Sequence, residues 1–304
     1  MFSIWELLFQ QFVNGLITGS FYALVALGYS MVYGIIKLLN FAHGDIYMTG
    51  AFMCYSVFGL LSGVLHGWPA IALSILAAML MAGILGFIAQ RFAYRPLLNA
   101  PRLSMLITAI GVSLVIYNSV MVITNSRPLY FISGLDNSVG VRISKNITLT
   151  NIQIILLSVS VILMVGLSLF IGKTMMGKAM RAIALDKDTC RLMGINVNKV
   201  IGITFFIGSA LAAIAGGMYC IYYGNVQYNM GYMYGIKAFT AAVIGGIGSI
   251  PGAMLGGLLL GLLEAIGTQL LDSSWKDVFA FGLLILILIF RPNGLLGKTE
   301  IERM

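Results

Sequence analysis

Lys173-Thr-Met-Met-Gly-Lys-Ala-Met-Arg-Ala-Ile-Ala-Leu-Asp-Lys-Asp-Thr-Cys-Arg-Leu-Met-Gly-Ile-Asn-Val-Asn-Lys199 interrupts a chain that is otherwise overwhelmingly apolar. In a sequence with 9% charged residues, this stretch holds six of the eighteen Lys and Arg side chains and two of the ten acids. A segment of that composition belongs in water. Short loops rich in Lys and Arg are retained on the cytoplasmic side during membrane insertion, so it also orients everything on either side of it. Ala182, Leu185, Leu192 and Met193 recur at helical spacing among Arg181, Asp186, Lys187, Asp188 and Arg191, and Gly194 follows as a C-terminal cap. The pattern predicts one short amphipathic helix. It is too short to stand alone in water, so its apolar stripe needs a surface, either the underside of the same protein or a cytoplasmic partner.

The flanking sequence fixes the class. Over 304 residues, 60% are hydrophobic and the mean hydropathy is +0.98, with 36 glycines. The apolar runs are continuous and far longer than the alternating segments of about ten residues that build a transmembrane barrel. The expectation is an all-α, polytopic integral membrane protein forming a single domain over residues 1–304. The net charge of +8 sits in loops between apolar runs, which is the positive-inside pattern and not a nucleic-acid-binding face. Cys54, Cys190 and Cys220 show no metal or redox spacing, and no cofactor or metal is expected.

Working outward, apolar runs at residues 12–39, 46–65, 70–89, 103–124, 152–172 and 200–223 precede a glycine-dense region and a last run at 278–290. Nine spans result if residues 12–39 cross once, and eight or ten if a break is re-entrant or a long block crosses twice. The loop with Arg91, Arg95 and Arg102 shares the cytoplasmic side with residues 173–199, as does the tail 291–304, whereas 125–150 fits the opposite face. Two breaks stand out. Asn40-Phe41-Ala42-His43-Gly44-Asp45 is either a tight turn or a broken helix whose ends line a polar cavity. Gly245, Gly246, Gly248, Pro251 and Gly252 stack glycine entropy on a proline and predict a second break, while Gly252-x-x-x-Gly256 and Gly257-x-x-x-Gly261 predict close helix packing. One break in each half hints at an internal repeat.

No nucleophile, base or metal pattern of an enzyme is present. Gly294 to Thr299 imitates the end of a nucleotide-binding loop, but Pro292 stands where that pattern needs glycine. Ionisable groups in or near spans cost roughly 3 kcal/mol or more and are functional candidates by default: His43, Asp45, Lys237 and Glu264, with Asn40 beside them. His43 and Asp45 serve equally well as a local pair satisfying a helix end, Lys237 as a snorkelling side chain, and Glu264 as a buried polar contact. Tyr22, Tyr29, Tyr33 and Tyr47 read as packing.

Four stretches together carry a resemblance. They are Tyr22-Ala-Leu-Val-Ala-Leu-Gly-Tyr-Ser-Met-Val-Tyr-Gly-Ile-Ile36 leading to Asn40-Phe-Ala-His-Gly44; Ala93-Tyr-Arg-Pro96; Gly177-Lys-Ala-Met-Arg-Ala182 with Leu192-Met-Gly-Ile195; and Lys237 through Pro251 to Gly257. The chain resembles the LivH-type permease subunits of bacterial high-affinity branched-chain amino acid ABC importers over essentially its whole length. That resemblance implies a multi-pass subunit of the bacterial inner membrane with a cytoplasmic C-terminus. It also implies a second, LivM-type permease, two cytoplasmic ATPases that perform the ATP chemistry, and an extracytoplasmic binding protein delivering leucine, isoleucine or valine. Residues 173–199 then become the coupling loop, with Ala182, Leu185, Asp186, Arg191, Leu192 and Gly194 at the ATPase contact. Related systems sharing these motifs carry urea or short amides. A solitary ion-coupled transporter using His43, Asp45 and Glu264 is the alternative from another class.

Overall fold

The computed structural model describes residues 4–98, 100–132, 140–142 and 148–297. Helices α1 (Ile4–Ile36), α2 (His43–Leu61), α3 (Trp68–Ala89), α4 (Arg102–Ile123) and α5 (Asn151–Lys173) are followed by α6 (Met175–Leu185) and α7 (Lys187–Leu192). The chain then forms α8 (Val197–Tyr223), α9 (Met230–Gly245), α10 (Ile250–Leu270) and α11 (Lys276–Phe290). Short strands β1 (Leu129–Tyr130) and β4 (Asn225–Val226) pair antiparallel, as do β2 (Gly140–Arg142) and β3 (Thr148–Thr150). The tail residues 298–304 and the loop segments 133–139 and 143–147, to which the sequence assigned sidedness, lie outside the described residues.

The nine expected spans correspond to nine helices, but six of these are long and apolar enough to cross a membrane: α1, α3, α4, α5, α8 and α10. The other three fall short for identifiable reasons. The 16-residue α9 and 15-residue α11 rise only about 22–24 Å against a hydrocarbon core of about 30 Å, and α2 is diluted by its polar first turn.

Glycine sets which helices touch. On α10, Gly252 and Gly256 face the backbone of Gly245 and Ala241 on α9, while Gly257 and Gly261 face Ala23 and Gly19 on α1. The two small-residue motifs therefore serve two different neighbours, and a side chain at any of these positions would collide with backbone. The second break is narrower than expected. Helix α9 ends at Gly245, Gly246 and Gly248 take φ of +102° and +89°, and Ser249 caps α10 by accepting from the Gly252 amide. Pro251 and Gly252 thus belong to the first turn of α10, where a missing amide hydrogen costs nothing.

The first break does more than turn the chain. His43, the first residue of α2, lies against Gly28 and Tyr29, and these sit seven or eight residues before the end of α1. Residues 37–42 therefore return about 12 Å alongside α1 before α2 starts. Residues 224–229 perform the same manoeuvre after α8, delivering Gly231 and Gly235 of α9 to Gly44 of α2. The internal repeat is consequently an inverted one, relating α1-return-α2 to α8-return-α9, and not the two glycine breaks near Asn40 and Gly248. Gly44 faces Gly231 and Tyr47 stacks on Tyr234 at 5.5 Å, two pairs with the same chain separation, as symmetry about a two-fold requires. The outer helices follow suit: α3 packs on α8 as α10 packs on α1.

All the basic connections converge on one end of the bundle. Arg91, Arg95 and Lys199 line one recess there, and Arg181 and Met180 line another with Gly34, Gly248 and Ile250. Gly294 and Gly297, just before the undescribed tail, abut Gly246 at that same end.

Candidate functional site

The two returning loops bring the N-termini of α2 and α9 together inside the bundle. Neither receives a side-chain cap, so both present amide dipoles to whatever occupies the space in front of them. That space is a cavity of about 390 Å³ lined by Tyr29, Asp45, Ser113, Gly231 and Gly235, with Ile110, Leu114, Ile236 and Phe239 forming apolar walls. Its size lies within the range of about 300–1,000 Å³ that small-molecule sites occupy. A second hollow, sharing Asp45, Ser113, Leu114 and Tyr232, adds Tyr117 and Asn229.

Asp45 is the one carboxylate of the cavity wall. Only 4% exposed, it accepts a 2.5 Å hydrogen bond to Oδ2 from the Ser113 hydroxyl on α4, and its Oδ1 lies beside Gly231. One anionic group, a few hydroxyls, two helix N-termini and aliphatic walls suit a small zwitterion with an apolar side chain. An ammonium finds the carboxylate, a carboxylate finds amide dipoles, and the remainder finds hydrocarbon.

The structure separates the residues that sequence grouped as a path. Asp45 lines the cavity. His43 sits behind it, edge-on to Tyr29 at 4.7 Å and fully buried, so His43 and Asp45 do not form the local pair offered as their alternative role; each engages a different helix. Asn40 accepts from the Tyr94 hydroxyl at 2.6 Å and fastens the return loop to the end of α3. Lys237 does not snorkel. It is 5% exposed and ion-paired with Glu264 at 2.9 Å and Asp277 at 2.7 Å, while the Tyr22 hydroxyl donates to Glu264 at 2.9 Å and Lys276 approaches it at 3.5 Å. This network ties α1, α9, α10 and α11 together away from the cavity. Tyr22 and Tyr47 join it to a cluster with Tyr219, Tyr223 and Tyr234, packed at centroid distances of 4.5–6.2 Å. Ser113 and Tyr232 had no sequence signal beyond a hydroxyl in an apolar run.

At the basic end, residues 173–199 form two helices where the sequence predicted one. Thr174 caps α6, and Asp186 interrupts the run to cap α7 by accepting from the Asp188 and Thr189 amides. Those bonds, with that from the Thr189 hydroxyl largest, hold the Asp186 carboxyl below the usual carboxylate range. Gly194, at φ +80°, closes α7: its amide bonds to Arg191 and that of Ile195 to Cys190, the paired pattern of a Schellman cap. The buried face is also different from the expected stripe. Met180, Ile183 and Cys190 turn into the bundle, whereas Leu185, Leu192 and Met193 are 91%, 89% and 78% exposed, with Ala182 half-buried and Arg191 bonded to Asp188 at 2.9 Å. Among the described residues no grouping of His, Cys, Asp and Glu could hold a metal ion.

Residues 11–288 match the family model described as the permease component of branched-chain amino acid transport systems. The chain is 46% identical to the high-affinity branched-chain amino acid transport system permease protein BraD of Pseudomonas aeruginosa, and 43% identical to the corresponding LivH of Escherichia coli, each over 97% of both chains. A more distant likeness, 26% identity over 92% of this chain and 68% of the other, links it to LivM of Escherichia coli. No solved structure matches it.

Proposed function

Because this chain belongs to the family of permease components of branched-chain amino acid transport systems, we propose that it forms half of the transmembrane path of an ATP-driven importer for leucine, isoleucine and valine. The observation that carries the proposal is the Asp45 cavity, where one carboxylate, two uncapped helix N-termini and aliphatic walls meet between α2, α4 and α9. Its mouth exposes Phe41, Leu114 and Tyr232 beside polar groups that lipid would not satisfy, which favours a second, LivM-type permease as the other half. Urea, which carries no charge, would leave the carboxylate unpaired, so the cavity favours an amino acid.

The basic end faces the cytoplasm by the positive-inside rule, which puts the C-terminus there and the N-terminus outside. Leu185, Leu192 and Met193 then form an apolar tip for a cytoplasmic ATPase, with ATP hydrolysis on the partner. From that tip, α6 leads to Met31 and Gly34 on α1, and α1 leads through residues 37–42 to Asp45. Displacement of α6 by ATPase closure would thereby reach the cavity wall, and an extracytoplasmic binding protein would supply the opposite side.

Reconstitution tests this reading. Vesicles holding this chain, its companion permease and the ATPases should accumulate leucine only with ATP and binding protein. Uptake by this chain alone, driven by an ion gradient, would overturn it.

A further inference from the structure

At the basic end, α3 does not stop at Ala89 but widens into a π turn, Gln90–Tyr94, and then tightens into a 3₁₀ turn, Arg95–Leu97. Such turns inside long helices gather at functional sites. This one turns Arg91 and Arg95 towards the first turn of α8, where Lys199 and Asn198 project, enclosing a recess of about 390 Å³ floored by Phe87 and Ile203. The recess contains three cations and no acid, and among the described residues none of the three is ion-paired. In its wall lies Gln90, 2% exposed, whose Nε2 has no hydrogen-bond partner. A buried amide donor left without a partner is costly, so it favours an acceptor. The start of α8 beside it is already capped, Asn196 accepting from the Lys199 amide at 3.1 Å, so the features of the recess that call for an anion are its three cations and the Gln90 amide.

We propose that this recess binds the phosphate of an anionic phospholipid, with Arg91, Arg95 and Lys199 around the phosphate and the Gln90 amide donating to it. Depth supports a lipid over a soluble phosphate. Gln90 lies 22 residues along from Trp68, about 33 Å of helix, which puts the recess at headgroup level when α3 crosses a core of about 30 Å. Phe87 and Ile203 below it offer a surface to the first methylenes of an acyl chain. The arrangement is independent of the transported solute.

The full chain in neutral detergent, titrated with phosphatidylglycerol, phosphatidylcholine or inorganic phosphate, tests the site by native mass spectrometry and thermal shift. Phosphatidylglycerol should be retained and raise Tm, and phosphatidylcholine should do neither. Arg91→Gln, Arg95→Gln and Lys199→Gln should each weaken retention roughly fivefold, while Arg291→Gln, at the same end, should leave it unchanged. Gln90→Leu, which alters no charge, should also weaken it; unchanged retention there would mean that charge alone attracts lipid and that no built site exists. Equal retention of both lipids, or indifference to the three cation substitutions, would overturn the proposal. Inorganic phosphate binding as tightly as phosphatidylglycerol, and lost on the same substitutions, would overturn the lipid as its source while locating the same anion.

Discussion

Among single residues, Glu264 and Lys237 show how position decides the role of a charge in a membrane. Sequence identified both as expensive and therefore purposeful, yet could not say that they meet, because Lys237 reaches Glu264 only after α9 and α10 fold back at Gly246 and Gly248. Removing Glu264 leaves the buried Lys237 with Asp277 as its remaining ion-pair partner and the Tyr22 hydroxyl without its acceptor. Glu264→Leu should destabilise the protein by about 1–3 kcal/mol, seen as a lowered Tm in detergent, and adding Lys237→Met should recover part of that loss. A double variant no better than the single would mean that the pair does not carry the tie. Asp186 gives a pH prediction of defined sign. Because its carboxyl is held below the usual range in the folded state, its contribution to α7 is present above the ordinary carboxylate pKa and is lost as pH falls through the depressed one. Protection of the Asp188 and Thr189 amides, their exchange measured against the intrinsic rate at each pH, should therefore hold through mildly acidic pH and fall only below it. Asp186→Asn, which keeps the cap without titrating, should abolish that pH dependence.

At the level of elements, helix existence was legible because apolar runs bounded by Gly, Pro and charge are what a bilayer selects. Helix depth was not. Residues 37–42 and 224–229 look like ordinary connections, and nothing in their composition says that they run back along α1 and α8; only the contacts of His43 with Gly28 and of Gly44 with Gly231 reveal it. The same blindness placed the repeat at the wrong break and drew one helix through Asp186, whose capping role competes with helix continuation. Of the two surfaces offered for the apolar stripe, the protein's own underside is taken by Met180 and Ile183, while Leu185 and Leu192 point out. Glycine contacts give a prediction at this scale. Gly257→Leu on α10 would drive a side chain into Ala23 and should lower stability by about 1–3 kcal/mol, measured as a Tm shift. Gly282→Leu on α11, which meets open space, should change little.

For the whole molecule, the inverted repeat explains how so apolar a chain places an acid at its centre, in the wall of the cavity proposed as the path. Two long helices, α1 and α8, run antiparallel and carry between them two shorter ones whose N-termini converge on Asp45 and Gly231. On the proposed function, α6, pressed against the basic end of α1, would act on the cavity through one loop. Of the five polar residues that sequence grouped as a path, Asp45 alone lines that cavity. The deciding measurement is ATP-dependent leucine uptake by the reconstituted complex carrying Asp45→Asn, with substrate-stimulated ATP hydrolysis followed in parallel. Asn retains the bond from Ser113 and removes only the charge. Uptake should fall about tenfold or more while assembly and basal ATP hydrolysis persist. Wild-type uptake by the Asn variant would contradict the claim that Asp45 meets the ammonium group on its way through.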